Sequence, residues 1–254
     1  MRRGLAPSRE RAQADIASGR VLVGGALADK PARMVAAAEP VRLVGPPPRF
    51  VSRGGNKLDA ALERFGIDVD GRTALDAGSS TGGFTDCLLQ RGASRVVAVD
   101  VGRGQLDLRL RRDHRVVVME RTDVRDLSPA ALGGQRFGVV TADLAFVSLR
   151  TVAPVLVSLA EPGGDVAVLI KPQFEVGRVE ASRGKGVIRD PALWERAVIG
   201  VRDAFAAAGA AMMGLMRSPL LGAEGNVEFL AHFRVGGGPQ GTVTDDEVAA
   251  VAGP

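Results

Sequence analysis

The chain has no tyrosine, one tryptophan, one cysteine and two histidines in 254 residues. A single thiol, Cys87, excludes an internal disulfide framework, and so few sulfur and imidazole ligands leave no cluster for a structural zinc. Aromatic residues make up only 4% of the chain, too few for a surface that stacks many unpaired bases. Long apolar runs are missing as well. The best candidate, AFAAAGAAMMGLM (204–216), carries two glycines and falls short of the roughly 18 residues that a membrane-spanning helix needs. The basic start MRRGLAPSRER is not followed by an apolar stretch, so it does not read as a secretory signal. The 46% of hydrophobic residues is enough for one good-sized domain with a small appendage. These features predict a soluble intracellular protein.

Net positive charge is absent outside the first fifth of the chain. Residues 1–50 hold nine Lys and Arg against four Asp and Glu, and the remainder holds 24 against 25. A small basic module ahead of a near-neutral larger domain suggests a grip on an anion such as nucleic acid. In residues 1–45 the sequence predicts a helix over 8–19, with Ser8 as its cap and Gly19 as its stop. A hairpin around Gly24-Gly25 follows, then a short strand VRLV at 41–44. Arg2, Arg3, Arg9, Arg11 and Arg20 are the candidate phosphate contacts. GPPPRF (45–50) is stiff, and residues 46–52 read as the linker.

Residues 53–236 form the second domain, beginning with an amphipathic helix over 57–66. Strand-like runs follow at 73–78, 95–100, 115–120, 138–143, 164–171, 211–218 and 227–234. Helical segments near 82–91, 105–112, 149–160 and 191–208 separate most of them. Alternation of this kind predicts an α/β fold, a Rossmann-like and mostly parallel sheet covered on both faces. Only a loop separates the last two strands, so the last strand is expected to run antiparallel. Residues 237–254 read as a flexible tail with a possible short acidic helix at 245–252.

In such a sheet the ligand crevice lies at the carboxyl ends of the strands, where ALDAGSSTGGFTD (74–86) leaves the first one. Its spacing is neither G-x-G-x-x-G nor G-x-x-x-x-G-K-[ST], so no pyrophosphate pocket is indicated. It suits a nucleoside with a small charged tail, such as S-adenosylmethionine. Asp76 is read as the acceptor for the ammonium group, and Gly78 lets backbone approach the ligand. Ser79, Ser80, Thr81, Gly82 and Gly83 lead into a helix start suited to the carboxylate. Asp100 ends the second strand, where an acid can hold two ribose hydroxyls. Thr122 and Asp123 follow the third strand, where the adenine amine is expected, and Asp143 ends the fourth.

Two lysines and two carboxylates belong to the same crevice: Lys57 in SRGGNKL, Asp143 in TADLAFVSL, Lys171 in LIKPQFEVG and Glu228 in GNVEFLAHF. This set suits an alcohol nucleophile such as a ribose 2′-hydroxyl, which must lose a proton as it attacks a methyl group. A lysine can take that proton when burial and a nearby cation bring its pKa toward roughly 7–8. Lys171 is the candidate base, Lys57 the second cation, and Asp143 and Glu228 the orienting acids. Arg53, beside Lys57, is a further candidate RNA contact. An N-methyltransferase would want a polar–Pro–Pro–aromatic stretch after the fourth strand, where this chain has DLAFVS. A cysteine-using C5 enzyme would need a thiol in the crevice, whereas Cys87 lies within a predicted helix and reads as core.

The motifs VSRGGNKL, LDAGSSTGGFTD, VVAVDVGRGQL, ERTDVR, ADLAFVSL, LIKPQFEVG and SPLLGAEGNVEFL resemble the TlyA family over about residues 2–234. That resemblance implies a cytoplasmic, S-adenosylmethionine-dependent enzyme. It would methylate cytidine 2′-hydroxyls in 16S and/or 23S ribosomal RNA within ribosomal subunits. The larger domain is similar to FtsJ-type methyltransferases, whose Lys-Asp-Lys-Glu set falls on Lys57, Asp143, Lys171 and Glu228. The N-terminal module resembles the αL RNA-binding fold of a ribosomal protein. It lacks the RLDxxLV segment with which the family's module usually opens, so it is expected to be truncated. Position 103 is Arg where the family often has Tyr, a change expected to adjust cofactor packing. Two other classes stay open: an RNA-binding protein with an inactive cofactor pocket, and a membrane-acting haemolysin, as the family's alternative name suggests. The haemolysin would need a membrane-active helix, and none is evident. The oligomeric state is left open between monomer and weak dimer.

Overall fold

The computed structural model describes residues 3–6, 9–17, 19–28, 30–177, 180, 186–222, 224–237 and 242–253. The chain divides into two units, Met1–Ser52 and Arg53–Pro254. The first contains helix α1 (Arg9–Ala17) and strands β1 (Val21–Val23), β2 (Ala26–Leu27) and β3 (Val41–Leu43). The strands form an antiparallel sheet in the order β2-β1-β3. Its core is small: Val21, Val23 and Ala28, with Ile16 and Val41 packed against them. Ser8, expected as the helix cap, lies outside the described residues.

The second unit opens with α2 (Gly54–Phe65), which starts three residues earlier than expected and stops at Gly66 in the left-handed region. The strands that follow are β4 (Thr73–Ala77), β5 (Arg95–Asp100), β6 (Val116–Glu120), β7 (Phe137–Ala142), β8 (Ala160–Ile170), β9 (Ala210–Arg217) and β10 (Phe229–Val235). They form one sheet in the order β6-β5-β4-β7-β8-β10-β9. Pairings from β6 through β8 are parallel, and β10 runs antiparallel to both its neighbours. The last strand in sequence is thus the antiparallel one, inserted between β8 and β9. The helices are α3 (Gly83–Gln90), α4 (Leu108–Arg111), α5 (Leu149–Leu159), α6 (Pro172–Glu175), α7 (Pro191–Ala207) and α8 (Asp245–Ala252).

Hydrophobic strand runs explain the layering. All six residues of β7 are buried, as are the last seven of β8, as expected of central strands covered on both faces. Helix α7 begins on Asp190, whose side chain accepts from Ala192 N, with Pro191 in the first turn. The segment predicted as a helix over 105–112 is helical only at Leu108–Arg111, because Asp107 caps it from outside. The C-terminal stretch expected as a flexible tail contains α8, closed at its start by a Thr244/Glu247 capping box. Val248 and Ala252 are buried in the main core. Arg217 donates to the carbonyls of Val251 and Ala252 at the helix end, so apolar burial and end-capping together dock the segment.

Candidate active site

Strand order reverses beside β4: β5 and β6 lie on one side of it, β7 and β8 on the other. The carboxyl ends of β4 and β7 therefore flank the switch point where open α/β sheets bind ligands. There the Asp143 N–H donates to Ala77 O at 3.0 Å. Gly78 has φ +82, and a Cβ on it would sit 2.5 Å from Asp143 O. The glycine expected to admit a ligand thus first admits the neighbouring strand's backbone. Gly82 has φ +97, and a Cβ there would strike the Leu106 and Leu110 side chains. It lets the α3 start pack beneath the α4 segment.

Asp76 departs from expectation. Its carboxyl is 0% exposed and accepts from Thr85 Oγ1 at 2.6 Å and Thr141 Oγ1 at 3.3 Å. Burial, together with the nearby Asp143 charge, pushes it up to about 7 against the bonds from the two threonines. Strand alternation turns the side chain down toward α3. It ties β4 to α3 and β7 from below and does not line the open crevice. Asp86 N donates back to Gly82 O and Thr85 N already serves the Asp76 carboxyl, so the Gly83 and Phe84 N–H groups are the ones the helix start can offer to an anion.

Asp100 ends β5 as expected and accepts from Ser80 N at 2.8 Å and Gly102 N at 2.6 Å. Each of its oxygens keeps a lone pair for a further donor. Beside it Val101 is 69% exposed, an apolar surface that a purine face could cover. Thr122 N bonds Asp100 O at 3.0 Å, which joins the second and third strand ends. Arg125 grips both oxygens of Asp123, at 2.9 and 2.5 Å. Those bonds and its capping of the Val124–Asp126 turn bring its carboxyl down to about 2. Among described residues, a helix start, a strand-end acid with open lone pairs and an exposed aliphatic neighbour fit a nucleoside with an amino-acid tail.

The four residues of the lysine–carboxylate set resolve into two ion pairs. Lys57, in the first turn of α2, bonds Glu228, and both are buried, 8% and 4% exposed. Lys171 Nζ lies 2.5 Å from Asp143 Oδ1, and both are partly open to solvent. In the β8–β10 register Phe229 faces Ile170. One step further that register sets Glu228 across from Lys171, and directly opposed residues share a sheet face. The antiparallel strand is what carries Glu228 to the carboxyl edge of its parallel neighbours. Gly222 leaves room for Glu228, since a Cβ there would lie 2.6 Å from Oε1.

One residue at this edge was not anticipated. Phe146, in the loop after Asp143, is 92% exposed and has φ +64. Its ring sits 5.3 Å from that of Phe174. The low aromatic content argued against extensive stacking, and no periodicity marks a single exposed phenylalanine. Cys87 is buried in α3, as expected.

In the first unit the candidate phosphate contacts separate into two groups. Arg3 is spent on the carbonyls of Ala36 (2.8 Å) and Ala37 (3.0 Å). Arg20 pairs with Asp15 at 2.7 Å and bonds Val44 O at 3.2 Å. Arg20, half-buried, braces the module from within, whereas Arg3 makes its bonds on the exposed surface. Arg9 is exposed on α1, and Arg42, which the sequence reading missed, is exposed on β3. Arg53 is exposed ahead of α2. Arg2 and the Arg11 side chain lie outside the described residues.

Comparison with known proteins agrees with the fold. Residues 50–235 match the FtsJ-like methyltransferase family and residues 2–40 match the S4 domain. The chain is 49% identical over 235 residues to the 16S/23S rRNA (cytidine-2′-O)-methyltransferase TlyA of Mycobacterium tuberculosis, covering 92% of this chain and 87% of that one. It is 38% identical over 230 residues to Hemolysin A of Brachyspira hyodysenteriae, with 91% and 95% covered. A solved structure from Streptococcus thermophilus, described as a hemolysin, superposes with a TM-score of 0.81 at 37% identity, over 99% of this chain and 91% of that one. Among the described residues no helix is long and apolar enough to cross a membrane. The chain belongs to the FtsJ-like methyltransferases of the TlyA family, with an S4 domain ahead of the methyltransferase fold.

Proposed function

We propose that this protein methylates a ribose 2′-hydroxyl of ribosomal RNA, at cytidine, using S-adenosylmethionine. The observation that carries the reading is the two lysine–carboxylate pairs, Lys171–Asp143 and Lys57–Glu228, at the carboxyl ends of β7 and β8 and the amino end of β10. Bound S-adenosylmethionine supplies an electrophilic methyl group on a sulfonium. The α3 start, Asp100 and Val101 would hold it, with Asp76 shaping the turn from beneath. In its neutral amine form, Lys171 Nζ takes the proton from the 2′-hydroxyl as the ribose oxygen bonds the methyl group and the methyl–sulfur bond breaks, and Asp143 keeps that nitrogen aimed. Lys57, fixed by buried Glu228, contributes the second positive charge near the reacting oxygen. Phe146, exposed at the same edge, offers an aromatic face to a nucleobase. The S4 domain supplies the RNA grip through Arg9 and Arg42, and a ribosomal substrate places the enzyme in the cytoplasm.

The test is to incubate the protein with tritiated S-adenosylmethionine and separated ribosomal subunits, then map ribose methylation by reverse-transcription stops. Label in ribosomal RNA at a cytidine ribose is expected, with none from Lys171→Ala even though its cofactor affinity is retained. Label on a base, or full turnover by Lys171→Ala, would overturn the reading.

A further inference from the structure

The Lys171–Asp143 pair is the first of three contacts between the same two segments. One segment leads from β7 through Asp143 to α5, and the other leads from β8 through Lys171 into α6. Three residues on from each, Phe146 meets Phe174 with centroids 5.3 Å apart. Beyond these, Ser148 Oγ donates to Glu175 Oε2 at 2.5 Å, and Leu149 N donates to Glu175 Oε1 at 2.8 Å. The contacts step along both segments in the same direction, closing them like a zipper.

Glu175 occupies an unusual place in that series. Ser148 is the N-cap of α5, its hydroxyl accepting from Arg150 N. Glu175 adds a carboxylate from a different segment to the same helix start, where N–H groups lack intrahelical partners and negative charge is favoured. Burial pushes its carboxyl above the ordinary 4.5, opposed by the bonds from Ser148 and Leu149 and by the Arg150 charge. The stretch it anchors is short: Asp143 lies five residues before Ser148, and Phe146 two before. Phe146 is held at φ +64, a backbone region that bulky residues keep only where their surroundings enforce it. Phe174 and Glu175, after Lys171 and Pro172, therefore both serve the loop that carries Asp143.

We propose that Glu175 is a positioning residue for methyl transfer. It fastens the start of α5 to α6 and so holds Asp143 against Lys171 and keeps Phe146 turned outward. The proposal rests on the reading of Lys171 as the base. Glu175 touches neither substrate nor cofactor and acts through the loop it ties down.

The test compares Glu175→Ala, Glu175→Gln and Ser148→Ala with the wild type and with Lys171→Ala. Readouts are kcat and KM for ribosomal subunits, calorimetric affinity for S-adenosylmethionine, and amide hydrogen exchange over residues 144–149. Glu175→Ala is expected to lower kcat by roughly 10- to 100-fold, the scale of a small misplacement of reacting groups. It should also speed exchange in the loop and leave cofactor affinity unchanged. Glu175→Gln keeps an acceptor for Leu149 N and a partner for Ser148, so it should recover most of the rate. Ser148→Ala removes one of the two bonds along with the cap bond from Arg150 N but leaves the bond from Leu149 N to Glu175, so it should show the same pattern more weakly; it decides the matter if Glu175→Ala does not fold. Wild-type kcat in Glu175→Ala, or a loss of cofactor affinity as large as the loss of rate, would overturn the proposal while leaving the function standing. If wild type and Lys171→Ala are equally inert toward ribosomal RNA, the function is wrong and the role of Glu175 falls with it.

Discussion

Replacing Asp76 by Asn should change how stability depends on pH. The carboxyl is fully buried, and its folded pKa of about 7 stands above a starting value of 3.8. A raised carboxyl binds more protons folded than unfolded between those values. Its contribution to stability is therefore complete below about pH 4 and is lost as pH rises through about 7. A shift near three units at about 1.36 kcal/mol per unit amounts to roughly 4 kcal/mol lost across that window. An Asn amide oxygen can still accept from Thr85 Oγ1. Its NH2 can face Thr141 Oγ1, whose own proton can go to Leu75 O, 3.3 Å away. Asp76→Asn should thus be more stable than wild type by about 1–2 kcal/mol at pH 5 and by roughly 4 kcal/mol at pH 8.5. Urea unfolding of the full chain at pH 5, 7 and 8.5, with the slope m checked for constancy, measures this directly. Wild-type and variant curves that stay parallel from pH 5 to 8.5 would refute the argument that burial controls this group.

Three further outcomes follow from particular contacts. Lys57→Met should destabilise the larger unit by about 3–5 kcal/mol, because it strands Glu228 in a buried site. Adding Glu228→Leu should recover much of that, and a denaturant titration of the single and double variants checks both. Gly78→Ala should cost at least about 1–3 kcal/mol from its left-handed backbone. The clash with Asp143 O should also weaken cofactor binding, as thermal unfolding and calorimetry with S-adenosylmethionine would show. Arg9→Glu with Arg42→Glu should flatten the salt dependence of RNA binding without unfolding the first unit, whereas Arg20→Ala, which breaks the pair with Asp15, should lower that unit's melting temperature. Filter binding across a salt series separates the two effects.

Much of the fold was legible because it rests on local signals. Short β-branched runs such as RVVAVD and VAVLI, spaced by helical segments, determine a parallel sheet. The loop-only link between β9 and β10 determines an antiparallel end. Lys57, Asp143, Lys171 and Glu228 stood out because each sits at an element end on the expected crevice edge. Their division into two pairs did not, since it depends on β10 entering between β8 and β9. The inward turn of Asp76 escaped a reading that placed every strand-end acid at the ligand. Whether Arg3 and Arg20 face solvent or carbonyls is likewise a matter of three-dimensional neighbours, and so is the docking of α8 by Arg217.

The sequence by itself determined which elements form and which charged residues lie at their ends, because propensity, capping and hydrophobic period act over a few neighbouring residues. Only the tertiary structure decided which charges pair, which acid is buried beneath the turn and which phenylalanine stands exposed. Those outcomes depend on long-range register and on desolvation, and both are set by residues distant in the chain.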